Sequence, residues 1–417
     1  MKQQLVVIGG GAAGFFCAVN AARMNPLLKV IIIEKSNKVL GKVKISGGGR
    51  CNLTHACFSI ADMLQYYPRG ASFLKKSFHQ FFTTDTIQWF KERGVSVKTE
   101  EDGRVFPESN SSQSIIDCLM QELNKYKVQL RMNKTLTGLQ QRSNLQWELS
   151  FSEGENVVAD YVCIAAGGFP KASQFDWLCK LGHSIETPVP SLFTFNSPNN
   201  KIIDLMGISI PQVKMKITGT KLQSAGPLLI THWGFSGPAV LKLSAWGARI
   251  LAEQNWAFSV QVNWLPLYNE QKLKEKFQLL RFELATQKII NRNPFGLPQR
   301  FWEYQLLEAG IDVDLRWADL PAKAQNILIK NCCAQVFDIK GKTTFKEEFV
   351  TCGGINLSEV DANTMQSRKK QNLYFAGEVL DVDGVTGGFN FQNAWTTGWI
   401  AANAIANSSS EVANGSL

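Results

Sequence analysis

Three glycines near the amino terminus, Gly9, Gly11 and Gly14, have the spacing G-x-G-x-x-G, and an acid, Glu34, follows twenty positions after the last. Each part of that pattern serves phosphate chemistry. Gly9 permits a tight turn, Gly11 lets backbone approach a pyrophosphate, and Gly14 lets a helix pack closely on a strand. Ala12 and Ala13 open the helix, whose free N–H groups and positive dipole end attract phosphate. Glu34 can accept a hydrogen bond from a ribose 2′-OH, which favours an unphosphorylated adenosine ribose, as in FAD or NAD. Glycine-rich turns are common, so the spacing gains its weight from what surrounds it. Leu5–Ile8 is an apolar run without polar alternation, as in a strand buried on both faces of a parallel sheet. Ala12–Met24 continues at helical spacing, and a second apolar run, Val30–Ile33, ends at Glu34.

Further along, Gly41–His55 reads GKVKISGGGRCNLTH. Three glycines between a strand-like run and Arg50-Cys51-Asn52 make a loop whose backbone can approach a ligand, with Arg50 available to pair with phosphate or a reduced flavin. An exposed Arg on a glycine-rich turn is an equally good reading. Tyr161–Ala165 reads as a strand running into Ala166-Gly167-Gly168. Asn372–Glu378 reads as another, ending at Gly377 and Glu378. Asp381–Asn393 (DVDGVTGGFNFQN) then leads into a helical run over Ala394–Ile405, a second place where backbone donors can face a cofactor.

These segments need a framework, and the alternation of strands and helices supplies an α/β, doubly wound parallel sheet. Residues 60–126 read as mostly helical, interrupted by a hairpin over Val95–Pro107 with Asp102-Gly103 at its turn. Beyond Pro188 the pattern changes. Leu192–Phe195, Ile208–Ile217, Leu228–Thr231 and Phe258–Val262 read as short strands, and Tyr268–Ile290, Pro298–Ala309 and Ala318–Gln335 as helices. The expected organisation is a discontinuous cofactor domain over 1–190 and 346–410, a β-rich insertion over 191–265 and 336–345, a basic helical subdomain over 266–335, and a frayed tail, with 411–417 disordered.

Composition narrows the function. With 417 residues, 45% hydrophobic and 19% charged, the chain reads as a multidomain globular protein. No apolar run reaches the length of a membrane span, and the expected location is the cytoplasm. Nine cysteines at irregular spacing without C-x-x-C, and four histidines, argue against disulfide, zinc and dithiol chemistry. The net charge of +9 is concentrated in residues 191–345, with 18 Lys+Arg against 11 Asp+Glu. Lys272, Lys274, Lys276, Arg281, Lys288 and Arg292 fall on one expected helical stretch, followed by Arg300. Such a stretch suits either RNA phosphates or a solvated face.

With these residues in place the chain resembles the BaiN/RdsA (YhiN-type) FAD-dependent oxidoreductases. The resemblance rests on VIGGGAAG at 7–14, KISGGGRCN at 44–52, FPESNSSQSIIDCL at 106–119 and THWGFSGPAVLKLS at 231–244. It continues with TCGGINL at 351–357, TMQSR at 364–368 and LYFAGEVLDVDGVTGGFNFQNAW at 373–395, while Phe391 and Asn393 stand where many members carry other residues. It implies a Rossmann-like FAD domain built from both ends of the chain, with a β-barrel-like domain and a helical subdomain inserted, and reduction of a carbon–carbon double bond. The expected FAD contacts are Gly9, Gly11, Ala12, Ala13, Gly14, Glu34, Lys35, Gly48, Gly49, Arg50, Cys51, Asn52, Leu136, Ala166, Gly167, Gly377, Glu378, Asp383, Gly388, Phe389, Asn390 and Phe391.

The substrates associated with such proteins are uridine in large-subunit ribosomal RNA and oxo-bile-acid enones; the basic insertion favours RNA. In either, hydride passes to the β-carbon while an acid protonates the α-carbon. Cys51 and His232 are the candidate acids, with a packing cysteine and a turn histidine as the alternatives, and Trp233 and Phe235 are candidates to stack on a base. NADH or NADPH is the expected transient reductant. A non-catalytic FAD-containing RNA-binding protein is the competing reading. A pyridine-nucleotide–disulfide oxidoreductase is disfavoured, since C-x-x-C and a second G-x-G-x-x-G are both missing.

Overall fold

The computed structural model describes residues 3–152, 154–343 and 350–414. It divides into two units, one from Met1–Ser191 and Phe345–Leu417, the other from Leu192–Thr344.

The first unit is organised on a five-stranded parallel sheet in the order Leu373–Phe375, Tyr161–Ile164, Gln4–Ile8, Lys29–Ile33, Gln129–Arg131. Gln4–Ile8 is central, and Leu5, Val6 and Val7 are fully buried, which is why this strand shows no polar alternation. Each such side chain contributes about 1.5–3 kcal/mol on leaving water. Helix Ala12–Met24 follows directly and packs against the long carboxy-terminal helix Phe389–Asn414. Their approach is close because Gly398 has no Cβ, which would stand 2.7 Å from the carbonyl oxygen of Ala13. The carboxy-terminal helix runs on through Asn407–Asn414, where fraying was expected; Leu417 and its two predecessors lie outside the described residues. The expected hairpin forms from Val97–Thr99 and Arg104–Pro107, with Gly103 at φ 82° between them.

The second unit is a closed antiparallel sheet covered by helices. Its strand order is Gln335–Lys340, Ala257–Asn263, Ser209–Ile217, Gln223–Thr231, Gly234–Ser236, Thr194–Asn196, Lys342–Thr343. The first and last of these are one stretch of chain bent at Gly341 (φ 98°), so the sheet closes into a barrel. Strict alternation marks Gln335–Lys340, with Phe337 and Ile339 inward and Val336, Asp338 and Lys340 outward. Phe195, Phe235 and Phe337 fill the interior. Leu273, Phe277, Phe301, Trp302 and Leu328 from the helices belong to the same core, so strands and helices share one interior.

Two local expectations give way. Gly41–Ile45 is helical rather than strand-like. Helix Glu270–Glu283 ends before Ile290: the chain turns at Leu284, and Ile289 enters the core after a Lys288–Arg316 bridge. A third element was missed. Pro238–Glu253 is a sixteen-residue helix with Pro in its first turn after Gly237, and its signal was the burial of Val240, Leu243, Ser244, Gly247 and Leu251 at helical spacing.

A buried ionic cluster ties 183–184 to 359–369 in the first unit. His183 Nδ1 is 3.0 Å from Glu359 Oε2 and its Nε2 is 3.0 Å from Ser367 Oγ, while Lys369 Nζ donates to Glu359 Oε1 (2.6 Å). Burial pushes the Glu359 carboxyl up, but hydrogen bonds from Lys369, Ser184 and His183 outweigh it and bring the group from 4.5 to about 2. A carboxylate lowered on folding gives stability that is present above its unfolded value and lost as pH falls toward the folded one. Glu359→Gln should therefore cost about 2–3 kcal/mol near neutral pH, and urea melts should show the deficit narrowing from pH 5 to pH 3. A deficit constant over that interval would contradict this account of the cluster.

Candidate functional site

Because the five strands are parallel, their carboxyl ends lie on one edge, and ligands of open α/β sheets bind outside that edge. Four of the five are followed by expected cofactor residues: Gly9–Gly14 after the central strand, Glu34 and Lys35 after the next, Ala166 and Gly167 after Tyr161–Ile164, and Gly377 and Glu378 after Leu373–Phe375. Leu136 follows Gln129–Arg131 after a short gap and starts a small antiparallel sheet, where it is half-buried.

The first turn is sterically exacting. A Cβ on Gly9 (φ 114°) would lie 2.3 Å from Ala165 O, and one on Gly14 would lie 2.0 Å from Gly9 O. Gly11 differs, since a Cβ there would meet nothing within 4 Å. It caps helix Ala12–Met24 without any side-chain hydrogen bond, and the first helical N–H to find an intrahelical acceptor is that of Phe15, bonded to Gly11 O (3.0 Å). The amides of Ala12, Ala13 and Gly14 are therefore presented ahead of the helix. Glu34 braces the turn: its Oε2 accepts from Gly10 N (2.8 Å) and its Oε1 from Ser36 N and Oγ (both 2.9 Å). Oε1 is thereby filled, while Oε2 keeps a further lone pair for a ribose hydroxyl. Lys35 is exposed, its Nζ 5.7 Å from the centre of the Phe169 ring.

A second wall comes from Gly47–Asn52 and Gly384–Asn390. Gly47, Gly48 and Gly49 all have positive φ, and Cβ atoms on Gly48 and Gly49 would again meet nothing within 4 Å. The two segments are fastened together. With its amide turned to satisfy both ends, Asn52 donates to Thr54 O and accepts from Gly388 N, each at 3.0 Å. Gly388 (φ 96°) sits where a Cβ would be 2.5 Å from Thr54 O. Asn390 spans its own loop, accepting from Gly384 N and donating to Gly384 O, both at 2.8 Å. Glu378 accepts from Thr351 N (2.9 Å) and from Lys42 Nζ. Gly377 lies so near the first helix that a Cβ would be 2.7 Å from that of Ala13.

This edge fits FAD by its own features. Gly11, Gly48 and Gly49 line open space, and the first helix presents free amides into it. Two buried polar atoms, Oγ1 of Thr351, whose backbone N–H donates to Glu378, and Oδ1 of Asn393, three residues beyond Asn390, have no hydrogen-bond partner among the described residues.

Several expected roles change. Asp383 is completely buried in an ion pair with Arg69, whose Nε donates to Asp383 Oδ1 (2.6 Å), and it also accepts from Ser191 Oγ (2.8 Å). Burial raises its carboxyl although Arg69 opposes the shift; with both oxygens committed, it braces its loop and offers a cofactor no surface. Phe389 is buried too, its carbonyl accepting from Tyr67 Oη (2.7 Å). Phe391 is half-buried and stacks on Trp395 (5.8 Å, 16°). Arg50 is drawn onto Glu100 (2.6 Å) and over the Phe106 ring (4.0 Å). Cys51 has no exposed surface, adopts φ 62°, and burial pushes its thiol up to about 12 against a hydrogen bond with Ser46. It is a turn and packing residue, and cannot hand a proton to an acceptor.

In the second unit His232 is exposed on a turn, its ring 3.8 Å from that of Trp233. Phe235 is a core residue packed against Trp264 and Phe337, so it cannot stack on a base. The basic stretch is less uniform than its sequence. By helical spacing Lys272 and Lys276 share one flank and Lys274 and Arg281 the other. Lys276 lies 3.7 Å from Glu283, Arg281 donates to Ala318 O (2.9 Å), and Lys288 pairs with Asp314. Arg292 bonds Gln287, Arg300 donates to Asp204 O (3.1 Å), and Lys272 and Lys274 project into solvent.

The contrast between two glycines gives a test. Gly11→Val should leave folding intact, since its side chain enters open space, yet abolish tight FAD binding. Gly14→Val, driven into Gly9 O, should lose both. Flavin absorbance and thermal melts of the apoproteins measure this; full FAD retention in Gly11→Val would refute the placement of the pyrophosphate.

The chain is similar to known proteins over almost its whole length. The chain is 30% identical over 413 residues to the ribosomal RNA dihydrouridine synthase of Escherichia coli, covering 95% of this chain and 96% of that one. It is 27% identical over 412 residues to the 3-dehydro-bile acid delta(4,6)-reductase of Clostridium scindens, covering 96% and 98%. In fold it is similar to the 3-ketosteroid-delta4-(5alpha)-dehydrogenase of Rhodococcus jostii RHA1, at 15% identity, a TM-score of 0.52 and 97% coverage of both chains. It is an FAD-dependent oxidoreductase. The family description "HI0933-like protein Rossmann domain" matches residues 3–404, and the chain belongs to that family.

Proposed function

We propose that this FAD-dependent reductase saturates the C5–C6 bond of a uridine in 23S ribosomal RNA, giving dihydrouridine, in the cytoplasm. The observation that carries the choice of RNA is the distribution of charge: residues 191–345 hold 18 Lys+Arg against 11 Asp+Glu, and Lys272 and Lys274 stand free in solvent on that unit. A polyanion gains from such a surface, whereas a steroid-like acceptor gains mainly from an apolar pocket. The C5–C6 bond of uracil is reachable only in an unstacked base, so unfolded or partly assembled RNA is the favoured form.

When bound, FAD supplies hydride chemistry. The chain's residues hold it: Glu34 fixes the turn and meets the adenosine ribose, the amides of Ala12–Gly14 face the pyrophosphate, and Gly48–Asn52 with Gly384–Asn390 enclose the remainder. The sequence carries a single G-x-G-x-x-G turn, so NADH or NADPH would supply electrons by docking transiently at this site. A small-molecule enone is the second reading. It is favoured by the relative named as a bile-acid reductase, whose match spans as much of this chain as that of the RNA enzyme.

Dihydrouridine in 23S RNA from cells with and without the gene, measured by mass spectrometry, tests the reading. Loss of one dihydrouridine on deletion is expected; unchanged content would move the assignment to the enone. RNA binding should weaken steeply with salt. Replacing both Lys272 and Lys274 by Gln should lower the salt slope by roughly 2 and weaken binding across sequences, whereas Lys288→Gln, already paired with Asp314, should change it little.

A further inference from the structure

Reduction of a conjugated double bond needs an acid, and Cys51 is too deeply buried to be one. The cofactor edge of the first unit carries another hydroxyl in a suitable setting. Tyr66, His55 and Phe389 form a cluster of nearly parallel rings: Tyr66 lies 4.4 Å from Phe389 at 11° and 5.7 Å from His55 at 30°, with His55 4.8 Å from Phe389 at 20°. Phe389 begins the carboxy-terminal helix and closes the Gly384–Gly388 loop. The backbone carbonyl of Tyr66 accepts from Val385 N in that loop (2.9 Å). Ring and backbone are thus both fixed to the segment that encloses the candidate flavin site.

Neighbouring groups are committed elsewhere. Tyr67 is buried, its hydroxyl donates to Phe389 O, and burial holds its proton well above the ordinary tyrosine range. His55 Nε2 is 3.1 Å from Asp102 O, so that nitrogen keeps its proton for the carbonyl. Asp383 is paired with Arg69. Tyr66 is half-buried, and among the described residues its hydroxyl has no hydrogen-bond partner. It combines an unclaimed O–H with a ring stacked on Phe389 and a backbone bonded to Val385, both in the segment that follows Gly384.

We propose that Tyr66 is the catalytic acid, which protonates the α-carbon of the acceptor. The inference rests on the reductase reading above but holds for a uracil or a small enone. The acceptor's C=C π bond breaks; its β-carbon gains a hydride, and so two electrons, from the reduced flavin. Its α-carbon gains the proton of Tyr66 Oη, and the phenolate left behind recovers a proton from water. A nicotinamide nucleotide would replace the two electrons spent in each turnover.

Tyr66→Phe keeps the ring and removes only the hydroxyl, so the stack with Phe389 is preserved. The prereduced holoenzyme is mixed anaerobically with a 23S RNA fragment in one arm and a 3-oxo-Δ4 steroid in the other. The arm that reoxidises the wild type decides between RNA and enone, and the ratio of variant to wild type within it decides Tyr66. The expected result is reoxidation slowed about 100-fold, with FAD content unchanged and acceptor affinity, read from the perturbed flavin spectrum of the oxidised protein, within twofold. A rate within threefold of wild type would overturn the proposal. So would a rate loss matched by an equal loss of affinity or of FAD, which would make Tyr66 a structural residue.

Discussion

The contact on which this structure depends most is the one between Gly14 and Gly9. Any side chain on Gly14 would bring a carbon to 2.0 Å from the Gly9 carbonyl, so only glycine lets the first helix begin directly over the end of the central strand. That start fixes the rest. It points the free amides of Ala12–Gly14 along the carboxyl edge of the sheet and brings Gly10 to the carboxylate of Glu34. It also leaves room for the carboxy-terminal helix to cross at Gly398. A sheet of five parallel strands becomes a cofactor platform because one turn is free of Cβ atoms at two positions and open at a third.

The platform is completed by chain far away in sequence. Asn52 reaches Gly388, Tyr67 reaches Phe389 across 322 residues, and Arg69 reaches Asp383 across 314. These are buried, charge-assisted or backbone-directed bonds, which resist competition from water better than exposed ones. They make the Gly384–Asn390 loop a fixed wall. The inserted unit has its own core and closes its sheet with one stretch of chain bent at Gly341.

The same distinction explains what could be read from sequence. The glycine turn, Glu34 and the parallel order were legible because each rests on local spacing: an apolar strand, a turn, a helix and a terminal acid in register. Short apolar runs between Pro, Gly and Asn made the insertion legible as β-rich, while its barrel-like form was implied only by the family resemblance. Asp383, expected at the cofactor from the family resemblance, has its side chain paired with Arg69, a partner invisible in local sequence. Cys51 and Phe235 misled for a similar reason, since residue type says what a side chain can do and burial decides whether it meets anything. The lysine-rich stretch was legible as a run of charges but not in its partners: helical spacing divides it into two flanks, and nearby acids and carbonyls claim several of its charges. Helix Pro238–Glu253 carries its own signal, Pro in the first turn and an apolar helical period.

We propose that the open edge of the first unit is built for a dinucleotide, with its adenosine half held at Gly9–Glu34. The most direct measurement is a titration of apoprotein with FAD and with FMN, followed by flavin fluorescence. FAD should bind one per chain, and FMN, which lacks the adenosine half, at least about 100-fold more weakly, since the lost contacts are worth about 3 kcal/mol or more. Equal affinity for the two flavins would contradict the account, because it would mean that the glycine turn and Glu34 hold nothing.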